Sequence, residues 1–261
     1  MPFARQLDPW RLGLVGVIGG ALGGGLGLGG GFIIVPLLVV LGFDRHRAHA
    51  TSLAAIVLVA AVGAISFGVS SEIDLYLGIV IGIGGVLGSA FGAQVMHRSS
   101  PRMIRLVFSL VLLAVAVRLI VGGTPNGTVP GMEGLAEIVV GVLIGMAAGF
   151  IAGLAGIGGG VIIVPSSIFL FGLTQHEAQG TSLMAIVLTA TSATLVNLRN
   201  GRLRLQDGLV VGSGGAVGSF VGSRAALALS GRALTQIFGV AVLAIAVRSV
   251  YQTVRDVPQV L

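Results

Sequence analysis

The sequence predicts an all-α polytopic membrane protein built from two copies of one unit. Composition is the first observation behind that prediction. Of 261 residues, 55% are hydrophobic and only 9% are charged, where a soluble domain carries about 25% charged residues. The second is the continuity of the apolar runs. They last about 18 residues or more instead of alternating over about 10, the pattern of spanning helices and not of barrel strands. The third is repetition. GGGFIIVP at 29–36 returns as GGGVIIVP at 158–165, and HATSLAAIVL at 49–58 returns as QGTSLMAIVL at 179–188. Gly82, Gly84, Gly85, Gly88, Ser89 and Gly92 return as Gly212, Gly214, Gly215, Gly218, Ser219 and Gly222. AVR at 116–118 returns at 246–248. The offset is 129 before one insertion and 130 after it, and so many ordered matches point to duplication of the transporter type rather than to a solenoid.

Each copy holds four apolar segments, about eight in all. They run roughly over 12–42, 50–70, 75–96 and 103–122, then 135–172, 180–198, 207–228 and 233–252. The first repeat therefore occupies 1–122 and the second 135–261, joined by a Pro/Gly-rich linker at 123–134. The opening segment of each copy is too long. At about 1.5 Å per residue, 12–42 would make a rod of about 45 Å against a hydrocarbon core of about 30 Å. Each is also interrupted by glycines, GGGLGLGGGFIIVP at 23–36 and GLAGIGGGVIIVP at 153–165, so neither reads as one straight helix. Pro36 and Pro165 are the expected helix-break residues.

Arginine placement selects the topology. With every segment crossing once from an inside N-terminus, six arginines fall inside (Arg5, Arg11, Arg199, Arg202, Arg204, Arg255) and seven outside (Arg45, Arg47, Arg98, Arg102, Arg105, Arg224, Arg232). If the first segment of each copy instead returns to its own side, Arg45, Arg47, Arg98, Arg102 and Arg105 move inside, and the balance becomes eleven against two. The excess of Arg on cytoplasmic loops favours the second arrangement. It makes each opening Gly-rich helix broken or re-entrant and leaves three crossings per copy, so the repeats are inverted.

Non-helical backbone at membrane depth survives only where protein or a water-filled cavity surrounds it. Gly29, Gly30 and Gly31 and their counterparts Gly158, Gly159 and Gly160 are accordingly expected to line a central cavity. There the N–H groups at the start of a half-helix would favour an anion; close helix packing is the other use such glycines have. The later glycines at 82–92 and 212–222 read as packing positions. Thr51 with Ser52, and Thr181 with Ser182, open long apolar helices. They serve as N-caps, as substrate contacts, or as both. His49 and Gln179 precede them at matching positions and add hydrogen-bonding groups. His46 and His176 also correspond but read as solvated loop residues. Arg118 and Arg248 match late in the last helix of each copy, where they snorkel to the interface or draw anions inward.

Several functions are excluded. There is no cysteine, and all fifteen basic residues are Arg. That removes disulfides, thiolate sites, a P-loop lysine and a Schiff base. No Asp or Glu lies mid-span, so a carboxylate proton relay or cation site is disfavoured. No cleavable signal is evident at the N-terminus. Residues 25–30, GLGLGG, match G-x-G-x-x-G but lack the strand–turn–helix context of a dinucleotide site. No His-x-x-x-His, HExxH or paired catalytic carboxylates appear, so an enzyme is not expected; no cofactor, metal or nucleic-acid partner is implied. The net charge of +6 belongs to cytoplasmic loops.

The duplicated G-[IL]-G-G-G-x-I-I-V-P motif, followed in each half by [HQ]-x-T-S-L, resembles the sulfite exporter TauE/SafE family of bacterial membrane transporters. The resemblance covers nearly the whole chain. It implies a multi-pass inner-membrane protein moving small sulfur-containing anions such as sulfite, sulfoacetate or other organosulfonates. An anion channel, a carrier of non-sulfur carboxylates and a non-transporting assembly factor are the alternatives. Substrate, direction, coupling ion and oligomeric state are left open.

Overall fold

A computed structural model describes residues 8–95, 101–122, 132, 134–155, 158–201 and 203–255. Within them the chain forms ten α-helices and no strand: α1 Pro9–Gly25, α2 Gly31–Val40, α3 Arg45–Val69, α4 Leu75–Val95, α5 Pro101–Gly122, α6 Leu135–Ala155, α7 Gly160–Phe171, α8 Gln175–Arg199, α9 Leu205–Ala228 and α10 Gly231–Arg255. Most of the expected linker lies outside the described residues, as do Arg5, Arg98 and Arg202 of the arginine count and the side chain of Gln94. Among the described residues four helices are long and apolar enough to cross a membrane: Arg45–Val69, Leu135–Ala152, Gln175–Arg199 and Gly231–Tyr251. Large apolar side chains such as Leu14, Ile18, Ile83, Leu143, Val217 and Val240 face outward, as lipid-facing positions do. The chain is an integral membrane protein.

Both over-long segments are broken into two helices. Gly29 and Gly30 take φ of +75° and +85°, and Gly158 and Gly159 take +90° and +70°. L-residues avoid this left-handed region and glycine does not. The chain then reverses. Gly19 of α1 faces Ile34 of α2, Gly23 faces Gly30, and Gly159 faces Ala148 of α6. In a straight helix residues 19 and 34 would lie about 22 Å apart. Pro36 and Pro165 do not make the break, because they sit inside α2 and α7. A proline removes one ladder bond without stopping so short a helix, whereas consecutive left-handed glycines turn the chain.

The long helices α3 and α8 begin earlier than the apolar pattern suggests. Asp44 caps α3 by accepting from the Arg47 N–H at 3.0 Å. Thr174 caps α8 in a reciprocal capping box with Glu177. Polar first turns are allowed where a good cap precedes them, so Thr51, Ser52, Thr181 and Ser182 lie nearly two turns inside their helices and cap neither. His46 and His176 likewise belong to first turns and not to loops. His46 is exposed, but His176 is half-buried with Nε2 3.2 Å from the Ala226 carbonyl, so the solvated reading fails for it.

Helix packing crosses between the copies. α1 lies against α9, with Gly13 meeting Gly214, Gly20 meeting Gly215, Gly24 meeting Ser219 and Gly25 meeting Gly222. α6 lies against α4, with Val142 meeting Gly84, Met146 meeting Gly88 and Gly149 meeting Gly85. Backbones approach so closely because small residues recur every four positions. α3 and α8 run through the centre, where Ile56, Ala60, Leu183, Ala185 and Ile186 are buried in one apolar cluster. α5 pairs with α10, which carry Leu112, Ala116, Phe238 and Val242 of a second cluster around Leu26 and Leu28.

Two corner contacts fix which ends lie together. Arg47 Nη2 donates to Asp207 Oδ2 at 2.6 Å, joining the α2–α3 corner to the α8–α9 corner. Asp74 N–H donates to Thr181 Oγ1 at 2.9 Å, and Gly180 packs on the Glu72 carbonyl, joining the α3–α4 corner to the start of α8.

Candidate functional site

The two glycine turns meet at the centre of the molecule. A Cβ built on Gly158 would lie 2.7 Å from the Leu28 carbonyl, and one on Gly160 would strike the Gly27 carbonyl and lie 2.9 Å from the Leu28 Cα. Gly29 sits between Ile56 of α3 and Ile186 of α8, its Cβ position 3.1 and 3.2 Å from their side chains. Residues 23–31 and 158–160 are all buried. The expected central cavity is therefore closed: the turns touch, leaving no room for a methyl group between them.

The backbone groups divide into used and free. Leu28 and Gly29 both donate to the Gly23 carbonyl, at 2.8 and 3.0 Å, and Gly160 donates to Gly158 at 2.9 Å. Gly29 and Gly160 thus spend their N–H groups on holding their own turns, contrary to the expectation that they face a ligand. At the start of α2, the amides of Gly30, Gly31 and Phe32 find no backbone acceptor among the described residues, which leaves one donor fan at the positive end of a half-helix. Within α2, Pro36 removes the N–H that the Phe32 carbonyl would receive, and Arg248 Nη1 approaches that oxygen at 3.5 Å. Its counterpart Arg118 stacks over Phe169 of α7 at 5.8 Å.

The side chains divide in the same way. Thr51, Ser52, Thr181, Ser182 and Gln179 are all 0% exposed. Ser182 Oγ donates to the Gly27 carbonyl at 2.8 Å, and Thr181 Oγ1 accepts from Asp74. Thr51 Oγ1, Ser52 Oγ and both amide atoms of Gln179 have no partner. Gln179 packs against Gly27, whose Cβ position lies 2.9 Å from its Cα. His49 is half-buried. Buried polar groups are nearly always hydrogen-bonded, so three orphaned side chains, Thr51 and Ser52 on α3 and Gln179 against the first glycine turn, call for an explanation.

Sequence reasoning missed Gly27, whose carbonyl anchors Ser182, and the pair Ile56 and Ile186, which seal the centre. The signal for the isoleucines was present, since AIVL repeats at 55–58 and 185–188, but it reads as ordinary core. The Arg47–Asp207 pair was also missed. The two residues are 160 positions apart, and nothing local links them.

Ten α-helices among the described residues, with two glycine turns in contact between them, define a helical membrane protein. The chain belongs to the sulfite exporter TauE/SafE family, whose model matches residues 2–119 and 141–259. It is 23% identical over 262 residues to the probable membrane transporter protein YunE of Bacillus subtilis, covering 92% of this chain and 96% of that protein. It is 28% identical over 257 residues to a probable membrane transporter protein of Xylella fastidiosa, covering 92% and 93%. It is also 28% identical over 228 residues to YjnA of Bacillus subtilis, again a probable membrane transporter protein, covering 81% and 89%. These relatives are named for transport and not for catalysis.

Proposed function

We propose that this protein is a secondary transporter of small anions, sulfur-containing ones such as sulfite, sulfoacetate or another organosulfonate, across the bacterial inner membrane. The observation that carries the proposal is the set of orphaned groups at the centre. Thr51 Oγ1, Ser52 Oγ and the Gln179 amide are fully buried without partners, and the free amides at the start of α2 belong to the same region. Hydroxyl, amide and backbone N–H donors suit an oxyanion. They would satisfy it as a tetrahedral or pyramidal oxygen cluster requires, by several neutral donors at once. Gly30, Gly31, Thr51 and Ser52 form the half-site of the first repeat. Gly158, Gly159, Thr181, Ser182 and Gln179 form that of the second.

The repeats, 1–122 and 135–261 about the linker 123–134, are read as inverted, with eight membrane segments of which the first in each copy is a re-entrant hairpin. Two contacts support this reading. Had residues 135–172 crossed once, Arg47 and Asp207 would lie on opposite faces of the bilayer, yet they pair at 2.6 Å. The same crossing would separate Glu72 from Gly180, yet they touch. Inversion sets α3 and α8 in opposite directions, so Thr51 and Ser52 are reached from one face and Thr181 and Ser182 from the other, with Ile56 and Ile186 between. The closed centre favours alternating access over a channel, because a channel needs a continuous path and the turns are in van der Waals contact.

The test is flux into proteoliposomes. The double variant Thr51→Val, Ser52→Ala removes two orphaned hydroxyls without cutting a hydrogen bond. Its sulfite and sulfoacetate flux is expected to fall at least about tenfold, the loss of one to two good hydrogen bonds to a charged ligand. Unchanged flux in the folded variant would remove this site.

A further inference from the structure

We propose that Arg47 is the entry residue of the transport path, held closed by Asp207 and released when a substrate anion takes the carboxylate's place. The inference rests on the transporter reading above and assigns that path a specific door. Arg47 lies in the first turn of α3, and Thr51 follows one helical turn deeper on the same face. Its guanidinium is held by two contacts and carries one unused donor. Nη2 donates to Asp207 Oδ2 at 2.6 Å, the group stacks 4.7 Å over the Phe43 ring, and Nε is buried with no acceptor.

Asp207 comes from the other repeat. It stands at the start of α9, and the neighbouring Gly208 packs 3.8 Å from the Thr51 carbonyl. The pair therefore spans the seam between α3 and α9 one helical turn before Thr51. Both side chains are only partly exposed, 24% and 18%, so water reaches the pair from outside while its inner edge faces protein. Arg45 and His46 in the same turn are exposed, and Asp44 is committed to the helix cap.

The second repeat has no equivalent. Its corresponding turn places Glu177 where Arg47 stands, and that carboxylate closes its own capping box. The other end of the bundle is tied by the neutral Asp74–Thr181 bond instead. One end thus carries a charged latch whose cation is matched to the cargo, and the other does not. A guanidinium binds a carboxylate or an oxyanion with the same bidentate fork, so an incoming sulfite or sulfonate competes with Asp207 for one donor. Exchange opens the seam and hands the anion toward Thr51.

A latch that competes with its own ligand makes a prediction that a structural ion pair does not. Removing Asp207 frees Arg47 for the anion; removing Arg47 leaves nothing to attract it. Saturable sulfite transport is measured in proteoliposomes with sulfite presented to the face bearing Arg47. KM is expected to fall about threefold in Asp207→Asn and to rise at least about threefold in Arg47→Gln, with Arg47→Lys between wild type and Arg47→Gln, as half-buried charge pairs of this kind allow. Thermal unfolding in detergent is recorded for each variant, and Asp207→Ser replaces Asp207→Asn if the latter does not fold. KM values that move in the same direction in Asp207→Asn and Arg47→Gln, or that do not move, overturn the latch. Absence of saturable flux of both sulfite and sulfoacetate in the wild type overturns the transporter reading itself, and the latch with it.

Discussion

The hairpin of the first repeat, α1–α3, and that of the second, α6–α8, share a motif nearly letter for letter, yet their polar groups are in different states. In the second, Ser182 is bonded to Gly27 and Thr181 to Asp74. In the first, Ser52 and Thr51 are buried with nothing to bond. Two copies of one sequence pattern would reach the same local structure if local forces alone decided it. The difference shows that packing between the halves, and not local sequence, decides which hydroxyls are bonded, although Gln179 of the second half is unpaired as well. Inverted-repeat transporters alternate by rocking one repeat against the other, and a substrate that satisfies the unpaired groups would shift the balance.

The largest effect expected from breaking this asymmetry lies at the glycines. Gly29 and Gly158 are equivalent in sequence and both adopt positive φ, so alanine at either incurs about 1–2 kcal/mol of backbone strain. Beyond that they diverge. A Cβ at 29 meets the side chains of Ile56 and Ile186 at 3.1 and 3.2 Å, which can give way. A Cβ at 158 meets the Leu28 carbonyl at 2.7 Å, which cannot move without displacing the first turn. Gly158→Ala should therefore be the more destabilising by a further ~1–3 kcal/mol, the cost of overpacking. Thermal unfolding of the two variants in the same detergent measures the difference, and equal losses would mean that the turns are not in contact.

The serines come next. Ser182→Ala strands the Gly27 carbonyl in the core and should cost about 1–3 kcal/mol. Ser52→Ala removes an oxygen that has no partner and should be neutral or slightly stabilising. Comparable melting temperatures for the two variants would contradict the asymmetry.

Much of this architecture was legible in the sequence, for reasons that mark where legibility stops. The membrane class, the helical fold, the duplication and the position of the breaks rest on composition and glycine patterning, which act locally. The arginine count pointed to re-entry because charge placement reports the cost of carrying ions through lipid. The prolines misled because the notion of a helix breaker ignores that one missing ladder bond, at the sixth residue of α2 and of α7, does not stop a helix. Thr51 and Thr181 looked like caps because the apolar pattern starts there; Asp44 and Thr174 do the capping, and polar residues fill the first turns. Which glycine amides are spent and which are free could not be read at all. It depends on Gly23, six residues back, lying under Gly29 once the chain has turned. Nor could the meeting of Arg47 with Asp207, which only the packing of α3 on α9 brings about.

The smallest effect is the most diagnostic of function, because it separates stability from transport at a single pair of positions. Thr181→Val removes the acceptor for the Asp74 N–H, and an N–H at a helix start near the bundle end can turn partly to water. The loss should be about 1 kcal/mol, the net worth of one ordinary hydrogen bond. Thr51→Val replaces an unpaired hydroxyl by a methyl group of the same shape and should leave the melting temperature within the change expected for ±0.5 kcal/mol. For transport the order reverses. The Thr51 hydroxyl is unpaired, so Thr51→Val should lower sulfite flux several-fold while stability holds. Thr181→Val should lower flux less, because that hydroxyl is already committed to the Asp74 N–H. If both threonines instead trade stability for flux in the same proportion, the hydroxyl of Thr51 is a packing feature, and the difference between the two hairpins has no part in moving an anion.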